Sequence, residues 1–220
     1  AVRSSATAED LPNASFAGQQ ETYLNVKGES NLIIKIKECW ASLFEVRAIF
    51  YRHENKFDHF RIGIAVPVQK MVESDKSGVM FTIDPVTNDK SKITIEAIFG
   101  LGEMIVQGKE KPDHYEVSKL SGKILLKEIA TQHKMLKKVG TSNKEVNVSL
   151  FSKNKQKISD DQIIKLAELG KKLEKHYFFP QDIEWAIQGG SVYIVQTRPI
   201  TTVKQTTKVS ENQQKVNLGT

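Results

Sequence analysis

A single cysteine, Cys39, is all the thiol chemistry in this chain of 220 residues. That excludes an internal disulfide and favours a reducing cytoplasm as the setting. Its position on the apolar edge of a helical stretch reads as that of a small buried hydrophobe. Long hydrophobic runs are also missing. The most extended, Ile62 to Val68 and Ile93 to Ile98, fall far short of the roughly 20 residues needed to cross a bilayer. A soluble protein with no membrane partner is therefore expected. The opening residues Ala1-Val2-Arg3-Ser4-Ser5 lack the basic flank, apolar core and small-residue cleavage site of a secretory signal. No internal repeat, Walker loop or dinucleotide fingerprint is present. The five histidines, His53, His59, His114, His133 and His176, show neither metal-ligand spacing nor a partnered nucleophile, and each reads as a surface or satisfied core residue.

Hydrophobic residues make up 39% of the chain and charged residues 26%, a globular balance. The net charge of +6 suits a polyanionic partner, and nucleic acid and nucleotide phosphates both qualify on charge alone. The lysines are densest between Lys134 and Lys175, among acids and amphipathic positions. They are set among these rather than among aromatics that could stack bases, so that region reads as a solvated face and nucleic acid is not expected.

Val2 to Ser5 reads as a short strand running into a loop from Ala6 to Gln20, which contains Pro12 and Gly18. A helix is predicted from Ser30, with Ile36, Trp40, Leu43, Arg47 and Phe50 recurring at spacings of three and four as a core stripe. Strands are predicted at Ile62 to Val72, Gly78 to Ile83, Lys92 to Phe99, Tyr115 to Val117 and Lys123 to Ala130. Ser159-Asp160-Asp161-Gln162 has the form of a capping box. The helix that follows presents Ile163, Leu166, Ala167, Gly170 and Leu173 on one face and ends at Phe178-Phe179-Pro180. Two further strands, Ile183 to Ile187 and Val192 to Thr197, flank Gly189-Gly190 as a hairpin. Residues 204–220 are polar and aperiodic, a linker or tail. The mixture indicates an α+β fold.

Two places carry candidate chemistry. Arg3, Gly18, Gln19, Gln20 and Thr22 sit among small residues that let backbone amides approach a phosphate, with Arg3 as a permanent forked cation. The pattern fits a weak phosphate loop or an ordinary surface loop. In the closing hairpin, strand alternation puts Ile183, Trp185 and Ile187 on one face and Asp182 and Glu184 on the other. Gln196 and Arg198 share a face of the partner strand. A three-residue loop, Gly189 to Ser191, would set Glu184 opposite Gln196 and Asp182 opposite Arg198, and would leave Tyr193 and Val195 with the apolar set. Such a face could present a carboxylate, an amide oxygen and a guanidinium to a triphosphate. The same residues also suit a surface hairpin with a cross-strand ion pair.

The run from Ala1 to Val26 resembles the signature of the nucleotide-binding domain of the pyruvate-phosphate dikinase and phosphoenolpyruvate synthase family, and rifampin phosphotransferases share nearly the same run. Two further blocks agree in order. One is Ala65-Val66-Pro67-Val68-Gln69-Lys70-Met71-Val72 with Ser77-Gly78-Val79-Met80-Phe81-Thr82. The other is Asp182-Ile183-Glu184-Trp185 with Val195-Gln196-Thr197-Arg198-Pro199. The similarity spans about residues 1 to 203.

The resemblance implies an ATP-grasp fold. Residues 1–72 would be the remainder of its first lobe, with the phosphate loop and adenine strand, and 73–203 the second lobe. It implies ATP and magnesium as ligands. Arg3 and Arg198 would act on the phosphates, Gly18 and Thr22 would belong to a covering loop, and Gln69 would lie beside adenine on the strand that leads to the hinge. Glu184 and Gln196 would hold the metal. The stretch Ile93 to Glu103 would lie near the nucleotide, with no individual residue singled out. The implied partners are a phosphohistidine carrier domain and a pyruvate-binding barrel; the alternatives are the same domain of a rifampin-type antibiotic phosphotransferase, or a nucleotide-binding module without catalysis. The family's upstream lysine segment, carrier-histidine motif and barrel are absent from these 220 residues, so weak ATP binding and no complete reaction are expected of them.

Overall fold

Aliphatic and β-branched residues whose burial alternates along the chain build a six-stranded sheet, and nearly all the candidate groups sit on or beside it. The computed structural model describes residues 1–7, 10–11, 14–15, 21–140 and 142–200. Gly18 and the segment 204–220 lie outside them.

In chain order the first elements are β1 (Val2–Arg3), β2 (Ser5–Ala6), β3 (Asp10–Leu11), β4 (Ala14–Ser15), β5 (Thr22–Tyr23), α1 (Glu29–Ala41), α2 (Val46–Glu54) and β6 (Ile64–Ala65). Then come β7 (Lys76–Phe81), β8 (Lys92–Phe99), α3 (Glu103–Val106), β9 (Asp113–Ser118), β10 (Ile124–Glu128), β11 (Lys134–Val139), β12 (Ser142–Asn147), α4 (Asp160–Tyr177), β13 (Gln181–Gln188) and β14 (Ser191–Pro199). The large sheet has the order β10-β9-β8-β7-β13-β14, antiparallel throughout. The fold is α+β.

Helix α4 covers one face of that sheet. Its capping box is formed: the Ser159 hydroxyl accepts from the Gln162 amide at 3.3 Å, and Gln162 Oε1 accepts from the Ser159 amide at 3.1 Å. Ile163, Leu166 and Ala167 pack with Met80, Ile93, Ile95, Tyr115, Val117, Ile183, Trp185 and Ile187 in one core. Gly170 belongs to the same helix face. A β-carbon there would stand 3.0 Å from Met80 Sδ, so the helix sits down on β7 only where the side chain is missing.

One polar group is locked inside this layer. Asp113 and Lys157 are both fully buried, with Lys157 Nζ 2.7 Å from Asp113 Oδ1. Asp113 also accepts from the Ala130 amide, the Lys157 amide and the Tyr115 hydroxyl. The carboxylate is thereby satisfied away from water, and it ties the start of β9 to two loops.

Several expectations need correction. The strand expected at Ile62 to Val72 is only β6 with an isolated bridge from Val68 to Val2, because the segment beyond runs alongside the first residues without forming a ladder. The helix from Ser30 is interrupted by a 3-10 turn at Ser42–Phe44, so the spacing of three and four does not carry one stripe across the break. Cys39, Leu43 and Ala48 are buried, as expected of Cys39 and Leu43, whereas Trp40 is 51% and Phe50 63% exposed and Arg47 lies at the surface. In the lysine-rich stretch, β11 and β12 pair as a hairpin that the sequence pattern did not suggest. Within the expected loop after Ala6, β3 and β4 form a short ladder.

Candidate functional site

The β13–β14 hairpin turns at Gly189-Gly190, both with positive φ (55° and 80°), and Gln188 pairs with Ser191. This is the two-residue turn, and the three-residue loop expected from the sequence does not form. Two consecutive left-handed residues match the right-handed twist of the strands, and paired glycines adopt them at little cost. A regular ladder from that turn would set Val195 opposite Glu184. Instead the register shifts between Trp185 and Glu184: Trp185 pairs with Ile194, the ladder skips Val195, and Glu184 pairs with Gln196. Such a bulge reverses the facing of every later residue on its strand. Val192 and Ile194 therefore join the core, replacing Tyr193 and Val195, while Gln196 and Arg198 turn to the open face with Glu184 and Asp182. Arg198 holds Asp182 through Nε at 2.8 Å and Nη2 at 2.7 Å, as the register of the two residues requires.

The skipped residue has its own use. The Val195 carbonyl accepts from Gln69 Nε2 at 3.2 Å and from Arg3 Nη1 at 3.5 Å. Arg3 is presented by β1, which pairs with β5 so that Arg3 faces Thr22, and its amide donates to the Pro67 carbonyl at 3.1 Å. From there its side chain reaches the hairpin. Nη2 lies 3.3 Å from Glu184 Oε2 and also donates to Gln196 Oε1. Gln69 is held on the other side of β1, its amide and carbonyl bonded to the backbone of Ala1.

These residues border a cleft of about 490 Å³ between the first strands and the large sheet. Arg3, Thr22, Gln69 and Glu184 all line it, together with Lys70, Met71 and Val72 of the extended segment and Gly102 and Glu103 beside β8. Gln196 meets the others through Arg3, and Arg198 stands one cross-strand pair further along the same face. Of the sequence-predicted site residues, then, Arg3, Thr22, Gln69, Glu184 and Gln196 gather at one place, with Arg198 on the same face. Gly18 falls outside the described residues.

Two carboxylates were not singled out from the sequence. Strand register sets His114, Glu96, Val79, Glu184 and Gln196 in a single row across five strands. Glu96 thus shares the open face with Glu184, two strands away, roughly 9 to 10 Å at ordinary strand spacing. Glu103 lines the cleft from the first turn of α3. Burial pushes both carboxyls above the usual carboxylate range, opposed by His114 at Glu96 and by Lys109 at Glu103. A raised carboxyl at a cleft, as at Glu103, is one mark of a functional site. The sequence signal for Glu96 was its alternation within Ile93 to Ile98, which placed it opposite the apolar set but did not say what stood beside it.

A family model described as pyruvate phosphate dikinase, AMP/ATP-binding domain, matches residues 1–217. The chain belongs to this family. As a pyruvate phosphate dikinase AMP/ATP-binding domain, it is 53% identical over 213 residues to a probable phosphoenolpyruvate synthase of Archaeoglobus fulgidus, a match covering 97% of this chain and 28% of that protein. It is 51% identical over 220 residues to the phosphoenolpyruvate synthase of Pyrococcus furiosus, covering 96% and 27%. It is 46% identical over 225 residues to the rifampicin phosphotransferase of Bacillus cereus, covering 100% and 25%. The chain thus spans about a quarter of the length of the curated relatives it matches. No helix among the described residues is long and apolar enough to cross a membrane.

Proposed function

We propose that this AMP/ATP-binding domain is the nucleotide-binding part of a phosphoenolpyruvate synthase, folded as an ATP-grasp with residues 1–72 in its first lobe and 73–203 in its second. The whole enzyme would use ATP to phosphorylate a carrier histidine and convert pyruvate and water to phosphoenolpyruvate, AMP and phosphate. The observation that carries the reading is the convergence of Arg3, Glu184 and Gln196 at the cleft, from strands nearly the full domain apart in sequence. The higher identity to phosphoenolpyruvate synthases than to rifampicin phosphotransferases favours pyruvate as the final acceptor.

The donor set fits magnesium. Glu184 Oε2 and Gln196 Oε1 already point at one cationic atom, Arg3 Nη2, so two oxygens can share a cation there, with phosphate oxygens completing the shell. When bound, the metal would neutralise charge on the phosphates during transfer. Arg3 and Arg198 would grip the phosphates, each as a permanent charge with a forked set of donors. Asp182 would keep the Arg198 guanidinium in one orientation. Gln69, with one amide hydrogen on Val195, would border the adenine, and Thr22 with the loop bearing Gly18 would cover the phosphates.

The test is the ATP half-reaction of the full-length enzyme, followed as phosphate transfer to the carrier histidine. Glu184→Ala and Arg198→Ala should each slow it about 100-fold or more, as loss of an electrostatic contact to the transferring group does. Undiminished rates in both variants would refute the assignment.

A further inference from the structure

Arg3 occupies the point that the proposed function gives to the metal. Its Nη2 contacts Glu184 Oε2 and Gln196 Oε1 together, and its Nη1 donates to the Val195 carbonyl. The chain supplies its own cation to its own ligand pair. The guanidinium nitrogen fills the place between those two oxygens that a divalent cation would take, and like charges in contact repel. We propose that Arg3 closes the Glu184–Gln196 pair to free divalent cation and releases it only when nucleotide phosphates draw the guanidinium away, so that metal and nucleotide enter together. The inference rests on the reading of Glu184 and Gln196 as metal ligands.

The geometry makes such an exchange feasible. The Arg3 backbone is fixed by its pairing with Thr22 and by the Pro67 carbonyl, so the side chain can swing without moving β1. Its ion pair with Glu184 is a single 3.3 Å contact, and the Glu184 side chain is 36% exposed. A pair of that kind is screened by water and contributes little. A polyphosphate offers the guanidinium a more highly charged partner with parallel acceptors, where charge-assisted bonds are shorter and stronger.

Manganese(II), followed by the electron paramagnetic resonance signal of the free ion, tests the proposal in the full-length protein. Without nucleotide, wild-type protein should bind it weakly at this site. Arg3→Gln should bind it about tenfold or more tightly, because the competing charge is gone. Arg3→Lys, which keeps the charge, should stay close to wild type. Adding Glu184→Gln to Arg3→Gln should abolish the gain and so locate it. Natively folded Arg3→Gln that binds manganese no better than wild type would overturn the proposal.

Should Arg3→Gln fail to fold, the guanidinium nitrogen resonances of Arg3 in wild-type protein give a second reading. Hindered rotation that is lost in Glu184→Gln supports the proposal, and free rotation in the wild type sinks it. A separate arm guards the underlying assignment. If Glu184→Gln leaves manganese binding unchanged in the presence of a non-hydrolysable ATP analogue, the metal-ligand reading itself fails. If it weakens that binding while Arg3→Gln changes nothing without nucleotide, only the role of Arg3 fails.

Discussion

Glu184 stands directly across from Gln196 because the ladder between their strands skips Val195. The bulge lets a tight Gly189-Gly190 turn coexist with two polar residues on the same face. It also frees the Val195 carbonyl to bind Gln69 and Arg3, so a single irregularity both sets Glu184 and Gln196 on one face and joins the first strands to the large sheet.

Deleting Val195 separates these two effects. Gln196 would then follow Ile194 directly, and a regular ladder would still set it opposite Glu184. The hairpin should remain folded, with its amides protected from exchange, but the acceptor shared by Gln69 and Arg3 would be lost. Nucleotide affinity should fall about tenfold, the value of one or two hydrogen bonds. An unchanged dissociation constant in calorimetry would show that the carbonyl contributes nothing.

The 220-residue chain by itself should bind ATP weakly and only with magnesium, and should make no phosphoenolpyruvate from ATP and pyruvate. The chain spans only about a quarter of the length of the relatives it matches. Steady product formation by the purified chain would contradict this.

Lys157→Met should destabilise the domain by about 3 to 5 kcal/mol, because it leaves the fully buried Asp113 carboxyl without its counter-ion. Denaturant unfolding of the variant measures the loss. Replacing Asp113 with Asn at the same time should recover part of it, since the orphaned charge goes with it. A loss below about 1 kcal/mol in the single variant would mean that the buried pair is dispensable.

Asp84 gives an acid-range signature. Burial raises its carboxyl, but the Val86 and Thr87 amides, the Thr87 hydroxyl and Lys92 together outweigh burial and hold it at about 2, below the ordinary 3.8. A carboxyl depressed on folding adds stability that is complete above the unfolded value and is lost as pH falls through the folded one. The difference in unfolding free energy between wild type and Asp84→Asn should therefore be constant above about pH 5 and shrink between about pH 4 and pH 2. A difference that does not change across that window would exclude ionised Asp84 as its source.

Local chemistry was legible in the sequence wherever one segment settles its own structure. Ser159 and Gln162 cap α4 because both partners lie within one turn, and β8 runs over Lys92–Phe99 as its alternation indicates. Alternation also separated Glu184 from Ile183 and Trp185. The family resemblance, not periodicity, drew Arg3, Thr22, Gln69, Glu184, Gln196 and Arg198 into one site. The same reading failed where burial depends on distant chain. Trp40 and Phe50 have core spacing, yet the break at Ser42–Phe44 and the narrow contact of α1 with β1 leave them at the surface.

By itself the sequence determined the α+β elements of the large sheet, the apolar face of α4 and the residue types at the site, because period and capping are properties of neighbours along the chain. Tertiary structure alone decided the register. Gly189-Gly190 permits a two-residue turn, but only the pull of Val192 and Ile194 into the core under α4, set against the polar face shared by Glu184 and Gln196, requires Val195 to bulge. It also decided that Glu96 and Glu184 share a face and that Arg3 meets Glu184, since strand order, unlike strand pattern, is written in contacts between residues far apart in the chain.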